Sequence, residues 1–242
     1  MNKISLVLLL IFSGSAFSSG NTTNESFNKA KKMLEKSVYS QLERKTIYCS
    51  ATFDESKFII DKNGFSSNKY KKRAKKIEWE HVVPAENFGR SFVEWREGDA
   101  RCVTKKGKAF KGRNCASKVN KEYRYMQADM HNLYPAIGAV NALRSNYRYS
   151  AVANGYDLGG CEMIISSKEK RVVPSDRSKG VVARVSLYFD ETYKRYKLSD
   201  SQRKLFEAWD RKFPVTDEEC KRNSLIENLQ GNVNFVLRER CN

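Results

Sequence analysis

The sequence predicts a single α+β domain that is weighted toward helix and held together by disulfides. Apolar residues recur at both helical and strand-like spacing, and the helical stretches are the longer ones. A hydrophobic content of 40% in 242 residues, with 12% aromatics, is enough for one substantial core. Six cysteines, an even number, favour disulfides formed in an oxidising compartment. We therefore expect one mixed domain, although the length also permits two.

Residues 1–18 have the pattern of a secretory signal peptide. Lys3 supplies the positive charge, Ile4 to Phe12 form the apolar stretch, and Ser13 to Ser18 form a cleavage zone that is rich in small residues. This stretch is too short to cross a bilayer, and no later stretch approaches the roughly 20 apolar residues of a membrane helix. We expect a mature domain over 19–242 that is periplasmic or secreted, without a membrane span.

The first half of this domain is predicted to contain one helix, two strands and a long loop. Apolar residues at 27, 30, 34, 38 and 42 share one face of a helix over 24–42. Strand patterns occupy 58–60, before a turn at 61–64, and 77–83, before Pro84. The Gly- and Lys-rich region 90–120 has neither pattern, so we predict a long functional loop closed by a disulfide.

The second half is predicted to be mainly helical. Pro135 suits the start of a helix, where no backbone N–H is needed, and Asn141 lies on the flank of that helix. Residues 151–165 are irregular and then weakly strand-like. Helical spacing returns at 180–196 and at 199–213, the latter with Ser199 or Asp200 as its cap.

The six cysteines allow fifteen pairings, and their spacing contains no Cys-x-x-Cys. A zinc ribbon or a thioredoxin-type redox site is therefore disfavoured. We favour pairs that close short loops, which are Cys102–Cys115 and Cys220–Cys241, leaving Cys49 for Cys161.

The net charge of +17 arises from basic residues distributed along the whole chain, as in 69–76 and 105–113. Such a surface attracts polyanions, nucleic acid above all, through release of counterions. Binding of anionic cell-surface polymers is the alternative that charge alone leaves open.

Only two histidines occur, and His81 directly follows Glu80 near the end of a predicted strand. Phosphodiester hydrolysis needs an activated water, a cation and donors for the phosphate. His81 could accept the proton of water, whereas Glu80 and Asn141 offer hard oxygen ligands for Mg²⁺ or Ca²⁺. Neighbouring strand residues point to opposite faces, so one base and one ligand is the natural division. A structural role for the pair stays open on these residues alone. His131 is predicted to be structural, donating a hydrogen bond that ties its turn to the core.

Several short runs occur in a fixed order over roughly 48–241, namely Trp79–Ala85, Phe88–Gly89, Asp129–Leu133, Val140–Asn141, Arg144–Asn146, Leu205–Asp210 and Pro214–Cys220. Together they resemble the bacterial endonuclease I family of exported, non-specific nucleases. The resemblance implies a ββα-metal (His-Me finger) site in a mixed single domain, and we expect the protein to be a monomer. It also implies cleavage of DNA, and usually RNA, with Mg²⁺ (Ca²⁺ or Mn²⁺ as alternatives), leaving 5′-phosphate ends.

Position by position, the resemblance makes His81 the general base and Glu80 and Asn141 the cation ligands. Arg113, in Gly112-Arg113-Asn114-Cys115, is similar to the family's phosphate-holding arginine, although one residue is missing before the cysteine. Lys111 or Arg101 are alternatives for that role.

Other departures from the family pattern concern charge and cysteines. Gln127 stands where the family commonly has Glu, and Ala142-Leu143 replace a pair that carries an acid before Arg144. Gln127 and Arg144 are therefore further candidate site residues. Two cysteines of the family pattern are absent, which would leave three disulfides.

The leading hypothesis is an exported, metal-dependent endonuclease with little sequence preference, since contacts to the phosphate backbone carry no base information. The alternative is a non-catalytic, cationic protein that binds DNA or other polyanions, which the amide of Gln127 would favour by weakening cation binding. A zinc peptidase is disfavoured because the chain has no His-Glu-x-x-His.

Overall fold

The computed structural model describes residues 20–241, so the predicted signal peptide lies outside the described residues. The α-helices of this part are α1 (Phe27–Met33), α2 (Ala85–Gly89), α3 (Val93–Arg96), α4 (Arg113–Val119), α5 (Lys121–Gln127), α6 (Gly138–Arg144), α7 (Asp176–Thr192), α8 (Asp200–Lys212), α9 (Asp217–Gln230) and α10 (Phe235–Arg238). Its strands are β1 (Thr52–Phe53), β2 (Ile59–Asp61), β3 (Ile77–His81), β4 (Leu133–Ile137), β5 (Arg148–Tyr149), β6 (Tyr156–Asp157), β7 (Ile164–Ser166) and β8 (Arg171–Val173). Helices and small sheets together form one domain, as predicted.

The N-terminal helix confirms the predicted amphipathic pattern, within narrower bounds. Ser26 caps α1 by accepting from the backbone N–H of Lys29 at 3.2 Å. The helix continues as a π-helical turn over Leu34–Val38. Its buried face packs against β3 and α9 in a small core that includes Trp79 and Ile226. This packing places Phe27 beside the end of β3.

Strands β3 and β4 form an antiparallel pair, in which Trp79 lies opposite Pro135 and His81 lies opposite Leu133. The strand predicted at 77–83 is thus confirmed, ending at His81. The prediction that a helix starts at Pro135 is wrong, because the chain stays extended through Ile137 and α6 begins at Gly138. The carbonyl of Pro135 points away from β3 and accepts from Ile47 N–H at 2.9 Å. The missing N–H lies on that same outer side, where it costs no ladder hydrogen bond.

The remaining strands form two small sheets. Strands β1 and β2 pair as a hairpin, so the strand predicted at 58–60 is confirmed with a shift of one residue. The other sheet has the order β5-β8-β7-β6, in which β5 and β8 are parallel and the other pairs antiparallel. The irregular region predicted at 151–165 supplies β6 and the start of β7.

The long helices α7 and α8 pack against each other and confirm the two predicted C-terminal helices, although α7 begins earlier than 180. The Ser199 hydroxyl caps α8 by accepting from Gln202 N–H. From α7, Phe189 contacts Phe88 of α2 with ring centroids 5.5 Å apart. This contact joins the C-terminal helices to the segment that follows β3.

Three disulfides link the described chain, and all three favoured pairs are confirmed: Cys49–Cys161, Cys102–Cys115 and Cys220–Cys241. The predicted loop over 90–120 is only partly a loop, because it contains α3 and all of α4. Its disulfide fastens the loop to α4 two residues after Arg113. Within residues 20–241, no helix is both long and apolar enough to span a membrane.

Candidate active site

A cleft of about 880 Å³ opens beside the end of β3, between α1, α4 and α6. Its lining includes the five charged or polar residues that the sequence singled out: Glu80, His81, Arg113, Asn141 and Arg144. Residues separated by more than sixty positions in the sequence are therefore brought to one place.

The His81 side chain is held in one orientation by a backbone carbonyl. Its Nε2 lies 2.9 Å from the carbonyl oxygen of Gln127, and the side chain is buried, with 7% of its surface exposed. A carbonyl only accepts, so Nε2 carries the proton and Nδ1 is the lone-pair nitrogen. Burial, reinforced by the charge of Arg113, lowers the pKa of His81 to about 3. The imidazole is therefore neutral at neutral pH and can accept a proton at Nδ1.

Glu80 leaves β3 on the other side from His81 and is almost completely buried. Its Oε1 accepts from the Tyr48 hydroxyl at 2.9 Å and lies 3.4 Å from Nε of Arg144. Burial raises the pKa of Glu80 to about 7, opposed by the positive charge of Arg144 and the hydrogen bond from Tyr48. Since Oε1 takes both contacts, Oε2 remains for a cation.

Arg144 supports the end of β3 from the buried wall of the cleft. It is 1% exposed, and its guanidinium donates to the carbonyls of Val82 at 2.6 Å and His81 at 3.3 Å. The same group lies 4.6 Å from the ring centroid of Tyr149. Arg144 thus fixes the backbone from which both Glu80 and His81 project.

Asn141 is oriented by a second acid of β3. Its Nδ2 donates to Oε2 of Glu78 at 3.2 Å, and Glu78 also accepts two hydrogen bonds from Arg73, at 2.7 and 2.5 Å. Glu78 and Glu80 lie on the same face of β3 because they are two residues apart. The amide nitrogen of Asn141 is thus engaged on the side of Glu80, and its Oδ1 is left as an oxygen ligand.

The donor chemistry of Glu80 and Asn141 fits a hard divalent cation. No cluster of three or more His, Cys, Asp or Glu side chains with metal-binding geometry occurs in residues 20–241. Mg²⁺ does not require one, since it keeps several waters and takes one or two protein oxygens besides substrate phosphates. A cation beside the buried Glu80 would keep that carboxylate ionised, against the effect of burial on its pKa.

Arg113 begins α4 and reaches the cleft, where its guanidinium lies 5.4 Å from the ring centroid of Phe27. It also contacts the side chain of Gln127. A guanidinium only donates, so the amide oxygen faces it and accepts from Nε at 2.8 Å and Nη2 at 2.7 Å. The Gln127 amide nitrogen then donates to Ser117 Oγ at 2.9 Å.

The two alternatives to Arg113 lie elsewhere. Arg101 is paired with Asp99, with Nε to Oδ1 at 2.8 Å, and Lys111 lines a separate groove of the 97–111 loop. The structure therefore brings Arg113 to the cleft and leaves these two cations outside it.

His131 is buried away from the cleft, with its ring 5.0 Å from that of Tyr188. Its backbone N–H donates to Asp129 Oδ1 at 3.0 Å, a hydrogen bond within the turn. Asp129 in turn accepts from the hydroxyls of Tyr188 and Tyr193. The turn after α5 is thereby fixed to α7.

Sequence reasoning missed four residues that shape the site: Phe27, Tyr48, Arg73 and Glu78. Strand alternation was the available signal for Glu78, because it shares a face with Glu80. Tyr48 precedes β3 by some thirty residues in an irregular segment, and no local pattern points to it. Phe27 was predicted only as a residue of the apolar face of the first helix. Its ring also packs against the ring of His81, with the ring centroids 4.9 Å apart.

Further cations surround the acids of the cleft. Lys31, Lys32, Lys57 and Arg73 line it, and only Lys57 and Arg73 of these have an acidic partner among residues 20–241. A neutral imidazole, a buried carboxylate, an amide oxygen and an arginine in a cationic cleft make up a site suited to phosphate esters.

Comparison with known proteins agrees with this class of site. The chain matches the Endonuclease I family over residues 17–239. It is 39% identical over 223 residues to a periplasmic deoxyribonuclease of Aeromonas hydrophila, covering 90% of this chain and 87% of the relative. An extracellular deoxyribonuclease of the same organism is 37% identical over 244 residues, covering 98% and 97%. Endonuclease-1 of Buchnera aphidicola is 36% identical over 252 residues, covering 100% and 96%. The protein therefore belongs to the endonuclease I family.

Proposed function

We propose that this protein is an exported endonuclease that hydrolyses DNA, and RNA as well, with little sequence preference. Two relatives that align with most of the chain are named periplasmic and extracellular deoxyribonucleases, which supports both the substrate and the export. The observation that carries the proposal is the state of His81. Its imidazole is fixed through Nε2 and shares one cationic cleft with a buried carboxylate and with Arg113, which forms no ion pair within residues 20–241.

The order of elements supports assignment to the ββα-metal (His-Me finger) class. The antiparallel strands β3 and β4 carry the base and the carboxylate, and α6 follows β4 directly and carries Asn141. This unit brings the base and both proposed cation ligands to one edge of a two-stranded sheet.

In the proposed mechanism, Nδ1 of His81 accepts a proton from the water that attacks phosphorus. Arg113 donates to the phosphate oxygens and stabilises the charge that develops on them. Mg²⁺, or Mn²⁺ or Ca²⁺ in its place, held by Glu80 and Asn141, would supply positive charge to the phosphate and the leaving 3′-oxygen. Departure of that oxygen leaves the phosphate on the 5′ end. Arg144 and Tyr48 contribute by holding Glu80 and the end of β3 in place.

Phosphates beyond the scissile one are proposed to bind the basic segment, defined as residues 69–76. Six of its eight residues are Lys or Arg, and all of its residues except Ala74 are exposed. Arg73 connects the segment to the cleft, because it lines the cleft and binds Glu78. The five lysines of the basic segment have no acidic partner within residues 20–241. Contacts of this kind bind the phosphate backbone of the nucleic acid whatever its base sequence.

The proposal is tested by incubating purified, oxidised protein with supercoiled plasmid and with RNA in Mg²⁺ or in EDTA. We expect nicking and then fragmentation in Mg²⁺, none in EDTA, and ends that can be ligated because they carry 5′-phosphates. DNA that is bound yet intact in Mg²⁺, Mn²⁺ and Ca²⁺ would support the alternative, a non-catalytic polyanion-binding protein.

A further inference from the structure

We propose that Gln127 is a positioning residue that holds both the proposed base and the proposed phosphate-binding arginine, and that its neutral amide keeps the charge of Arg113 available to the substrate. This inference rests on the proposed function, because it assigns Arg113 to a substrate phosphate.

The contacts of Gln127 divide between its backbone and its side chain. It is the last residue of α5, where a carbonyl has no partner further along the helix, and this carbonyl takes Nε2 of His81 at 2.9 Å. The side-chain oxygen takes Nε and Nη2 of Arg113, and the amide nitrogen reaches Ser117 of α4. With 7% of its surface exposed, Gln127 has little freedom to leave this position. One residue therefore sets the relative placement of His81 and Arg113.

The charge of the side chain matters because Arg113 forms no ion pair with a carboxylate within residues 20–241. An amide orients the guanidinium through two hydrogen bonds without neutralising it. A carboxylate of the same shape would form a buried, bidentate ion pair at the same distances. That pair would compete directly with a phosphate for the arginine.

Gln127→Glu is thus a nearly isosteric test that leaves the backbone contact to His81 intact. Affinity for a double-stranded DNA fragment is measured in EDTA, as a function of salt, for wild type, Gln127→Glu, Arg113→Met and the double variant. Asn28→Asp is the control, because Asn28 lines the same cleft and the substitution makes the same change in charge. Unlike Gln127, Asn28 is not proposed to orient Arg113.

We expect Gln127→Glu to weaken binding by about tenfold, the effect of losing one hydrogen bond to a charged group. The slope of log affinity against log salt should fall by about 0.9, the value of one phosphate contact. Asn28→Asp should weaken binding less and leave the slope unchanged. In the Arg113→Met background, Gln127→Glu should have no more effect than Asn28→Asp. Equal effects of Gln127→Glu with and without Arg113, or an affinity and slope equal to wild type, would overturn the inference.

Gln127→Met separates the effect of orienting Arg113 from the effect of a negative charge beside it. It also provides a test if Gln127→Glu does not fold. It removes all three side-chain hydrogen bonds, two to Arg113 and one to Ser117, and adds no charge. DNA affinity and salt slope should therefore stay at the wild-type level while kcat falls about tenfold or more. An unchanged kcat would contradict the positioning role. If wild type binds DNA without cutting it, the proposed function fails whereas the binding measurements still decide whether Gln127 controls Arg113. If wild type binds no DNA, both proposals fail.

Discussion

Replacing Arg144 by methionine removes the countercharge of a buried carboxylate while keeping a side chain of similar length. Arg144 and Glu80 are 1% and 3% exposed, with Nε and Oε1 3.4 Å apart. The substitution also leaves the carbonyls of Val82 and His81 without their donors. We expect the free energy of unfolding to fall by about 3–5 kcal/mol, the usual cost of removing one partner of a buried ion pair. In a domain of this size, that lowers Tm by roughly 6–20 °C.

Part of this loss depends on pH, and its direction follows from the pKa of Glu80. Burial raises that pKa from 4.5 to about 7 in the folded protein. The unfolded state therefore loses its proton first, so wild type loses stability as pH rises from 4.5 to 7, by roughly 3 kcal/mol in total. Without Arg144 the folded pKa rises further, and stability continues to fall above pH 7. The difference between wild type and Arg144→Met should accordingly be smaller at pH 5 than at pH 9.

Urea unfolding in EDTA measures these differences for wild type, Arg144→Met, Glu80→Gln and the double variant. EDTA removes any stabilisation by a bound cation. In the Glu80→Gln background the pH-dependent part of the Arg144→Met effect should vanish, whereas the part that comes from the two carbonyls should persist. An effect of the same size at both pH values, or a loss under about 1 kcal/mol, would refute the ion-pair interpretation of Arg144.

Three further predictions follow from other parts of the molecule. The double substitution Cys102→Ser and Cys115→Ser opens a loop that spans 13 positions, and the free energy of unfolding measured in urea should fall by about 3 kcal/mol. Plasmid cleavage should also slow, because this disulfide anchors α4, which carries Arg113. Full activity would contradict that dependence. Replacing Lys71, Lys72 and Lys75 by Gln should lower the slope of log DNA affinity against log salt by about 0.9 for each lysine that contacts a phosphate. An unchanged slope would show that the basic segment does not bind DNA. Burial lowers the pKa of His131 to about 4, so the unfolded state takes up a proton first as pH falls. Between pH 6.5 and pH 4, wild type should therefore lose about 3 kcal/mol of unfolding free energy relative to His131→Leu. The same dependence of Tm on pH in both proteins would contradict this.

Periodicity predicted the elements whose two sides differ in polarity. The first helix buries Ala30, Leu34 and Val38 as its spacing indicates, and α8 begins at its predicted cap. Pro135 misled the prediction because a proline fits both the first turn of a helix and the outer edge of a strand. Only the tertiary pairing of β4 with β3 decides between them.

Several residues that line the cleft were predictable as site candidates because they carry scarce chemistry in recognisable runs. His81 and Glu80 lie in one strand, and the resemblance to the endonuclease I family added Asn141 and Arg113. Local sequence does not show that Arg144 is buried under the strand end, or that Tyr48 donates to Glu80. Gln127 was expected to weaken cation binding if it lay near the cation. Its side chain contacts Arg113 and Ser117 of α4, a tertiary contact that local sequence does not indicate.

Cleavage of supercoiled plasmid by His81→Ala, compared with wild type in Mg²⁺, tests the central role of His81 most directly. The substitution removes the proposed base and leaves Arg113, Glu80, Asn141 and the basic segment unchanged. Cleavage should slow by about 10²–10⁴-fold, the usual contribution of a general base, while DNA affinity in EDTA stays at the wild-type level. A variant that cuts at nearly the wild-type rate would contradict the assignment of His81 as the base.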